Sequence, residues 1–473
     1  MTLEERLRDA GQSHLVHALE QVTGSAHRGL SAQIAELDLP LVRRLVEELV
    51  LHPSAPAHER PGPPEVVELA LGKDAERREV EARAAGEAAL RAGHLAAVLL
   101  AGGQGTRLGF EGPKGNFPVG PVSGRTLFSL HAARIEATRA RYGCRLPLCV
   151  MTSPGNDAET RAIFARNEYF GLRGDVHFFV QGTLPAVDSK TGEILLETPS
   201  RLALSPDGHG GLLKALRRSG LLGELRTSGT RTIVTFQVDN PLVRPARPEL
   251  IGHHRLAKAE MTSVVVRKLD AGERVGVVAT VGGRTAVVEY SDLPEEMARL
   301  SRPDGSLVFW AGNIALHCLE LGFVERLTGG ALELSYHRAE KSVPHLGLEG
   351  SRAETREPKA VKFETFVFDA LPFAERALTL EADRAEEYSP IKNARGRDSP
   401  ETARRDLTRL YAGWLRRAGV DVPRGGDGEP AYGLEVDPRL ALDAEELRSR
   451  LPGEFRIDGP TALGPEETVL AHN

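Results

Sequence analysis

Seven consecutive apolar residues, 95 to 101, break directly into Gly102 and Gly103. An apolar run without alternation suits a strand buried on both faces, the kind found inside parallel sheets. It is far shorter than the roughly 20 residues needed to cross a bilayer, and the chain has no longer purely apolar run. The expectation is an α/β core built around this strand, with the glycines opening the loop that leaves it.

The surrounding sequence follows the same logic. Segments 146–152, 176–180, 232–238 and 263–266 are strand-like, and helical stretches 126–142, 157–167 and 211–219 lie between the earlier ones. That alternation implies βαβ units and a doubly wound, mixed but mostly parallel sheet. Residues 275–281 and 285–290, joined by Gly282-Gly283-Arg284, read instead as a hairpin. Residues 1–50 carry leucines at helical spacing, a proline-rich linker covers 52–64, and 65–91 reads as an amphipathic helix. The last eighty residues hold short segments with a possible small β region. Three consecutive parts are expected: an N-terminal helical region (1–93), the main α/β domain (94–390) and a small C-terminal domain (391–473).

Composition narrows the function. With 60 Lys+Arg against 66 Asp+Glu, the net charge of −6 argues against a nucleic-acid partner, which requires clustered basic surface. Three cysteines, Cys144, Cys149 and Cys318, contain no CxxC pair and suggest neither a disulfide framework nor a zinc site. Three reduced thiols, and an N-terminal MTLEERLRDAG without the basic-then-apolar run of a signal peptide, predict a cytoplasmic protein without a membrane partner. Only ten of the 60 basic residues are lysine. Lysine is a compact charge on a flexible stem, arginine a planar fork, so a lysine retained in a glycine-rich loop is informative.

Such a loop follows the first strand. Residues 99–120 read LLAGGQGTRLGFEGPKGNFPVG. Glycines let a backbone approach a polyanion and aim N–H groups at its oxygens, and Arg107 and Lys114 add fixed charge. A phosphate chain fits this set better than a neutral ligand. The Walker pattern fails because Gly115 follows Lys114, and GxGxxG fails because one residue too many separates Gly105 from Gly109. A plain strand–helix turn is the competing reading of the glycines alone.

The Thr106-Arg107 and Pro113-Lys114 pairs make the pattern more specific. Here the chain resembles the eukaryotic-type UDP-sugar pyrophosphorylase family, which shares a GxGTR…PK signature, and most of all its N-acetylglucosamine branch. The likeness continues in FVQGTLPAVD (179–188), SPDGHGGLLKAL (205–216), FQVDNPL (236–242) and VGVVATVGGRTAVVEYSD (275–292). It extends through WAGNIALH (310–317), VKFETFVFDAL (361–371) and EYSPIKNARG (387–396). The resemblance implies a Rossmann-like, GT-A-like nucleotidyltransferase domain that joins UTP and a sugar 1-phosphate, with Mg²⁺, by in-line displacement at the α-phosphate.

By the same resemblance, Leu100, Ala101, Gly102 and Gly103 cradle the nucleotide. Arg107 and Lys114 hold its phosphates, with Lys114 facing the leaving pyrophosphate. Gln181 suits an edge of uracil, Gly208 lets the base or ribose come close, Lys362 meets UTP phosphates, and Asp239 takes Mg²⁺. His209, Glu289, Tyr290 and Asn313 line the sugar pocket, and Lys392 contacts the sugar phosphate. Without the resemblance, Asp239 before Asn240-Pro241 is equally a turn or capping aspartate, Glu289 a solvated strand residue and Asn313 a turn amide. The N-acetylglucosamine branch carries Asn where His209 stands, whereas glucose-type and broad-specificity members carry His. N-acetylglucosamine 1-phosphate is the first expectation and glucose or a mixture of sugars the second. A nicotinamide-dependent oxidoreductase is the rival disfavoured by the broken GxGxxG spacing. A silent sugar-nucleotide sensor is disfavoured by the presence of Arg107, Lys114, Asp239 and Lys392.

Overall fold

The computed structural model describes residues 2–53, 60–69, 72–330, 333–341, 345–346, 352–353, 360–452 and 455–465. Part of the proline-rich linker (54–59) and the last eight residues lie outside them. Contacts divide the chain into two units, one made of 1–60, 181–215 and 332–369, the other of 61–180, 216–331 and 370–473. This division cuts across the three consecutive parts read from the sequence.

The larger unit is organised by a nine-stranded sheet. Its strands are β1 (Leu95–Leu100), β2 (Leu148–Thr152), β3 (Val176–Val180), β4 (Thr232–Gln237), β5 (Met261–Arg267), β6 (Val277–Val281), β7 (Arg284–Val288), β8 (Ala311–Glu320) and β9 (Ala377–Glu381). The order is β7-β6-β8-β4-β1-β2-β3, with β5 pairing β8 and β9 pairing β5. Strands β4, β1, β2 and β3 run parallel, while β8 is antiparallel to both β4 and β5. The sheet is therefore mixed, and parallel around β1, as the unbroken apolar run required. Every residue of β1 is buried. Removing one of its leucines, Leu99→Ala, costs about 2–5 kcal/mol through lost burial and a cavity.

The hairpin forms as read, with a tighter turn. Val281 pairs directly with Arg284, and Gly282 and Gly283 both take positive φ, 57° and 73°. Two left-handed residues in a two-residue turn match the twist of the strands, and only glycine adopts that pair without strain.

Helices α1 (Lys73–Arg91), α2 (Leu127–Tyr142), α3 (Asp157–Arg166), α4 (Pro248–Leu256) and α5 (Pro400–Arg417) cover this sheet. The first starts later than the expected residue 65. Pro63 and Pro64 have no N–H to donate, and the extended segment instead bridges the sheet, Gly62 to Thr280 and Val67 to Leu380. α1 and α4 cross closely because each presents a glycine. A Cβ on Gly86 would fall 1.8 Å from the Pro248 carbonyl oxygen, and one on Gly252 would fall 1.6 Å from that of Ala82. The expected C-terminal β region is a parallel pair, Leu434–Val436 with Thr461–Leu463. Together with α5 it joins the core of the sheet through Leu407, Trp414 and Val436.

The smaller unit has its own core. Helices Leu3–Asp9, His14–Glu20, Gly24–Ala35 and Leu39–Val46 pack with Val187, Ile194, Leu202, Val361 and Phe363. Its three-stranded sheet joins Tyr336–Lys341, Ala360–Thr365 and Val187–Asp188. Among the described residues, no helix is long and apolar enough to cross a membrane.

Candidate active site

The loop leaving β1 has its carbonyls taken and its amides available. Asn156 donates to the oxygens of Ala101 (2.9 Å) and Gly103 (3.3 Å), Ser153 Oγ donates to that of Gly102 (2.8 Å), and the Lys114 N–H donates to Gly103 (3.1 Å). Among the described residues, the N–H groups of Gly102, Gly103 and Gln104 donate to no acceptor. Consecutive free amides make an anion-binding concavity. A Cβ on Gly103 would meet nothing within 4 Å, so packing does not demand a glycine there, whereas an approaching ligand would. Gly115 is different: its Cβ would lie 2.1 Å from the Phe128 ring. Arg107 is exposed and makes no ion pair among the described residues.

Opposite this loop stands the end of β4. Lys114 Nζ lies 2.7 Å from Asp239 Oδ2. Burial pushes the Asp239 carboxyl up, but Lys114 and then Lys392 outweigh it and hold the group below its ordinary range. Burial pulls Lys392 down, yet Tyr388 and Asp239 outweigh that and hold it above the usual value. Asp239 and Lys392 are thus both ionised at neutral pH. Behind them, His131 Nε2 is 3.0 Å from the Val238 carbonyl, and burial lowers this imidazole to about 3, so it stays neutral.

Lys392 arrives by a route the sequence does not advertise. Asn240 donates to the Glu387 carbonyl (2.7 Å) and accepts from the Ser389 N–H (3.1 Å), and Ile391 N–H donates to the Asp239 carbonyl (2.9 Å). Glu387, 1% exposed, accepts from the Arg244 N–H and Nε, both at 3.0 Å. Tyr388 Oη sits 3.4 Å from Lys392 Nζ. Asn240, Arg244, Glu387 and Tyr388 were not singled out from the sequence, although VDNP and EYSP, in which three of them sit, were read as blocks.

On the antiparallel side, Asn313 of β8 is buried, its N–H donating to Gly276 (2.8 Å) and its Oδ1 accepting from the Ala315 N–H (3.1 Å). That second bond supports a bulge where Ala315 takes φ +55° and the β5–β8 register shifts. A Cβ on Gly276 would fall 2.8 Å from Glu289 Oε1. Asn313 and Glu289 therefore flank Gly276, and Tyr290 beside them is 49% exposed.

Gln181, Gly208, His209 and Lys362 belong to the smaller unit, and their segments are tied to one another. Asp207 N–H donates to the Gly182 carbonyl (3.1 Å), Thr365 N–H to Asp207 (2.8 Å) and Gly210 N–H to Thr365 (2.8 Å). Gln181 is buried, and Lys362 sits opposite Ala339 in the strand pair. Gly208 has φ +82°, and its Cβ would lie 2.3 Å from the Thr365 carbonyl oxygen. The glycine that was assigned to a close ligand approach is thus also required by the protein's own backbone. His209 Nδ1 accepts from the Val367 N–H at 3.1 Å, which leaves Nε2 carrying the proton. Its ring lies 5.1 Å from Phe366, and burial, with His337 nearby, lowers it to about 4. It is a neutral one-donor group at physiological pH.

Comparison with known proteins places this arrangement. The family described as UTP–glucose-1-phosphate uridylyltransferase matches residues 68–397. The chain belongs to this family. It is accordingly a nucleotidyltransferase. It is 37% identical to the UDP-N-acetylhexosamine pyrophosphorylase-like protein 1 of Homo sapiens over 95% of each chain. To the UDP-N-acetylglucosamine diphosphorylase 1 of Arabidopsis thaliana it is 36% identical, covering 94% of this chain and 90% of that one. Among solved structures, the uridine diphosphate N-acetylglucosamine pyrophosphorylase of Trypanosoma brucei aligns with a TM-score of 0.79 at 29% identity, covering 96% of this chain and 95% of the other.

For a uridylyltransferase, Mg²⁺ is the expected ion, and it commonly takes one or two carboxylates together with substrate phosphates. Asp239 Oδ2 is engaged by Lys114, while Oδ1 has no hydrogen bond among the described residues. No group of three or more His, Cys, Asp or Glu that could hold a metal occurs among the described residues. Asp239 Oδ1 could take such an ion.

Proposed function

We propose that this chain joins UTP and N-acetylglucosamine 1-phosphate, forming UDP-N-acetylglucosamine and pyrophosphate. An oxygen of the sugar phosphate attacks the α-phosphorus of UTP as the bond to the departing pyrophosphate breaks. The attacking oxygen is already ionised at neutral pH, so no general base is needed. What the reaction asks of the protein is alignment and positive charge where negative charge accumulates.

The single observation that carries this reading is the Lys114–Asp239–Lys392 group beside a loop of free amides. In this proposal Leu100 to Gly103 receive the nucleotide, Arg107 and Lys114 neutralise the triphosphate and its leaving group, and Lys392 holds the sugar phosphate. Asp239 would hold Mg²⁺ together with UTP phosphates. The ion, when bound, would add a Lewis acid that draws charge from the phosphate oxygens. Gln181, Gly208 and Lys362 keep the UTP roles assigned by resemblance, and His209, Glu289, Tyr290 and Asn313 the sugar roles. Free Cys144, Cys149 and Cys318 support a reducing, cytoplasmic setting.

The names of the relatives support the acetamido sugar. A second reading, glucose or several sugars, is favoured by His209, whose one N–H cannot pair with both ends of an acetamide. A panel of sugar 1-phosphates with UTP and Mg²⁺, read by pyrophosphate release, tests both. A tenfold preference for glucose 1-phosphate would replace the first sugar by the second. Absence of pyrophosphate release with every sugar would sink the reaction itself.

A further inference from the structure

A cavity of about 450 Å³ opens in the larger unit among α2, the start of α4, α5 and residues 442–448. No residue of the 101–115 loop lines it, and neither do Asp239 and Lys392. Seven arginines and four carboxylates do. Four of the seven are satisfied by acids. Arg141 lies 2.6 Å from Asp443, Arg417 3.0 Å from Glu386 and Arg244 2.7 Å from Glu386, while Arg83 is within 3.8 Å of several carboxylates.

The other three are left less fully engaged, Arg247 by a single long ion pair. Arg134 is only 6% exposed; it hydrogen-bonds Tyr411, but its Nη1 has no partner among the described residues. Arg247 Nε also has no hydrogen bond among the described residues, its ion pair with Glu387 being stretched to 3.7 Å. Arg448 is exposed and makes no ion pair among the described residues. A buried guanidinium nitrogen left without an acceptor is costly. Burial accordingly pulls the Arg134 pKa down, in spite of Tyr411 and Glu387 nearby. A compact oxyanion with several acceptor atoms would remove that cost, and the planar forks of arginine match phosphate. The nine-residue helix α4 begins at this wall with Pro248, so its positive end adds to the same field. The remaining wall is apolar, from Ile135, Tyr142, Trp414 and Leu442, and suits an organic body.

We propose that this cavity is a second ligand site, distinct from the catalytic loop, for a phosphate-bearing organic molecule whose binding changes turnover. The route is on one wall. Arg244 holds Glu387, the Glu387 carbonyl holds Asn240, and Asn240 fastens the turn that carries Lys392. A phosphate that draws Arg244 away from Glu387 slackens that fastening.

Calorimetric binding of glucose 6-phosphate, adenosine monophosphate and inorganic phosphate to the full chain tests the site. At least one of the two organic phosphates should bind with Kd below about 1 mM. Its affinity should hold within about twofold in Lys114→Ala and fall at least tenfold in Arg448→Glu. Arg448 makes no described ion pair, so that variant should fold even if Arg134→Gln does not. Failure of both organic phosphates to bind, or affinity that follows Lys114 and ignores Arg448, overturns the proposal. Inorganic phosphate binding as tightly as the organic ones overturns the organic part. Pyrophosphate release at saturating ligand should shift at least twofold in the native chain and not in Arg448→Glu, and an unchanged rate overturns the coupling.

Discussion

Two glycine-rich loops of this chain look alike as text and differ as structure. Around Gly103 the backbone opens: amides lack acceptors among the described residues, and an added Cβ would meet nothing within 4 Å. Around Gly208 and Gly210 the backbone closes, because a Cβ there would strike Thr365 or Phe366 within 2.3 to 2.7 Å. In the first loop the missing side chain leaves room for something absent from the protein. In the second it leaves room for the protein itself. A glycine cluster thus reports close approach without saying by what.

The largest test of this contrast removes the charge from the open loop. Lys114→Ala should lower pyrophosphate release by about a thousandfold, the scale of losing a preorganised charge at a transition state, with the chain still folded though less stable for the loss of Asp239's main partner. A loss under tenfold would mean that the open loop is not where charge develops. Next comes a pair of glycine substitutions. Gly208→Ala, at φ +82° and against Thr365, should destabilise by about 3 kcal/mol in denaturant titrations. Gly103→Ala should stay within about 0.5 kcal/mol of native yet raise KM for UTP about tenfold. Equal stability losses at both positions would erase the contrast.

A smaller effect concerns acid. His209 and His131 titrate at about 4 and about 3 in the folded chain, against an ordinary value of 6.5. The unfolded chain therefore takes up protons first as pH falls, and stability declines from about pH 6.5 toward those folded values. By pH 5 each histidine should have cost about 2 kcal/mol, measurable by urea unfolding at pH 7 and pH 5. A flat profile would mean that neither ring is held neutral. The smallest expected change is in selectivity. His209→Asn should shift the kcat/KM ratio toward the acetamido sugar by about tenfold, roughly 1.4 kcal/mol. No shift would remove His209 from sugar recognition.

Local patterns carried much of this to the reader of the sequence. The unbroken run before Gly102 marks a buried parallel strand because nothing in it needs water. Gly282-Gly283 marks a tight hairpin because two positive φ angles are needed there. Lys114 stands out because lysine is scarce in the chain. The bond from Asn240 to Glu387 spans 147 residues and leaves no local trace. The delayed start of α1 was hidden because residues after Pro64 have helical composition, yet the extended segment around them is held to the sheet, Gly62 at Thr280 and Val67 at Leu380. Arg134 was hidden by abundance, since one more arginine in an arginine-rich chain attracts no notice until it is found buried with its Nη1 unpartnered among the described residues.

The Asn240 clasp has an evolutionary corollary. It staples the aspartate at one strand end to the lysine on a distant turn, so segments between them that touch neither the clasp nor β4 can change without disturbing their spacing. The hairpin of β6 and β7, followed by Glu289, is such a segment. If Glu289 meets the sugar as proposed, descendants of such a chain can retune which sweet moiety they accept while the electrostatic hardware stays put.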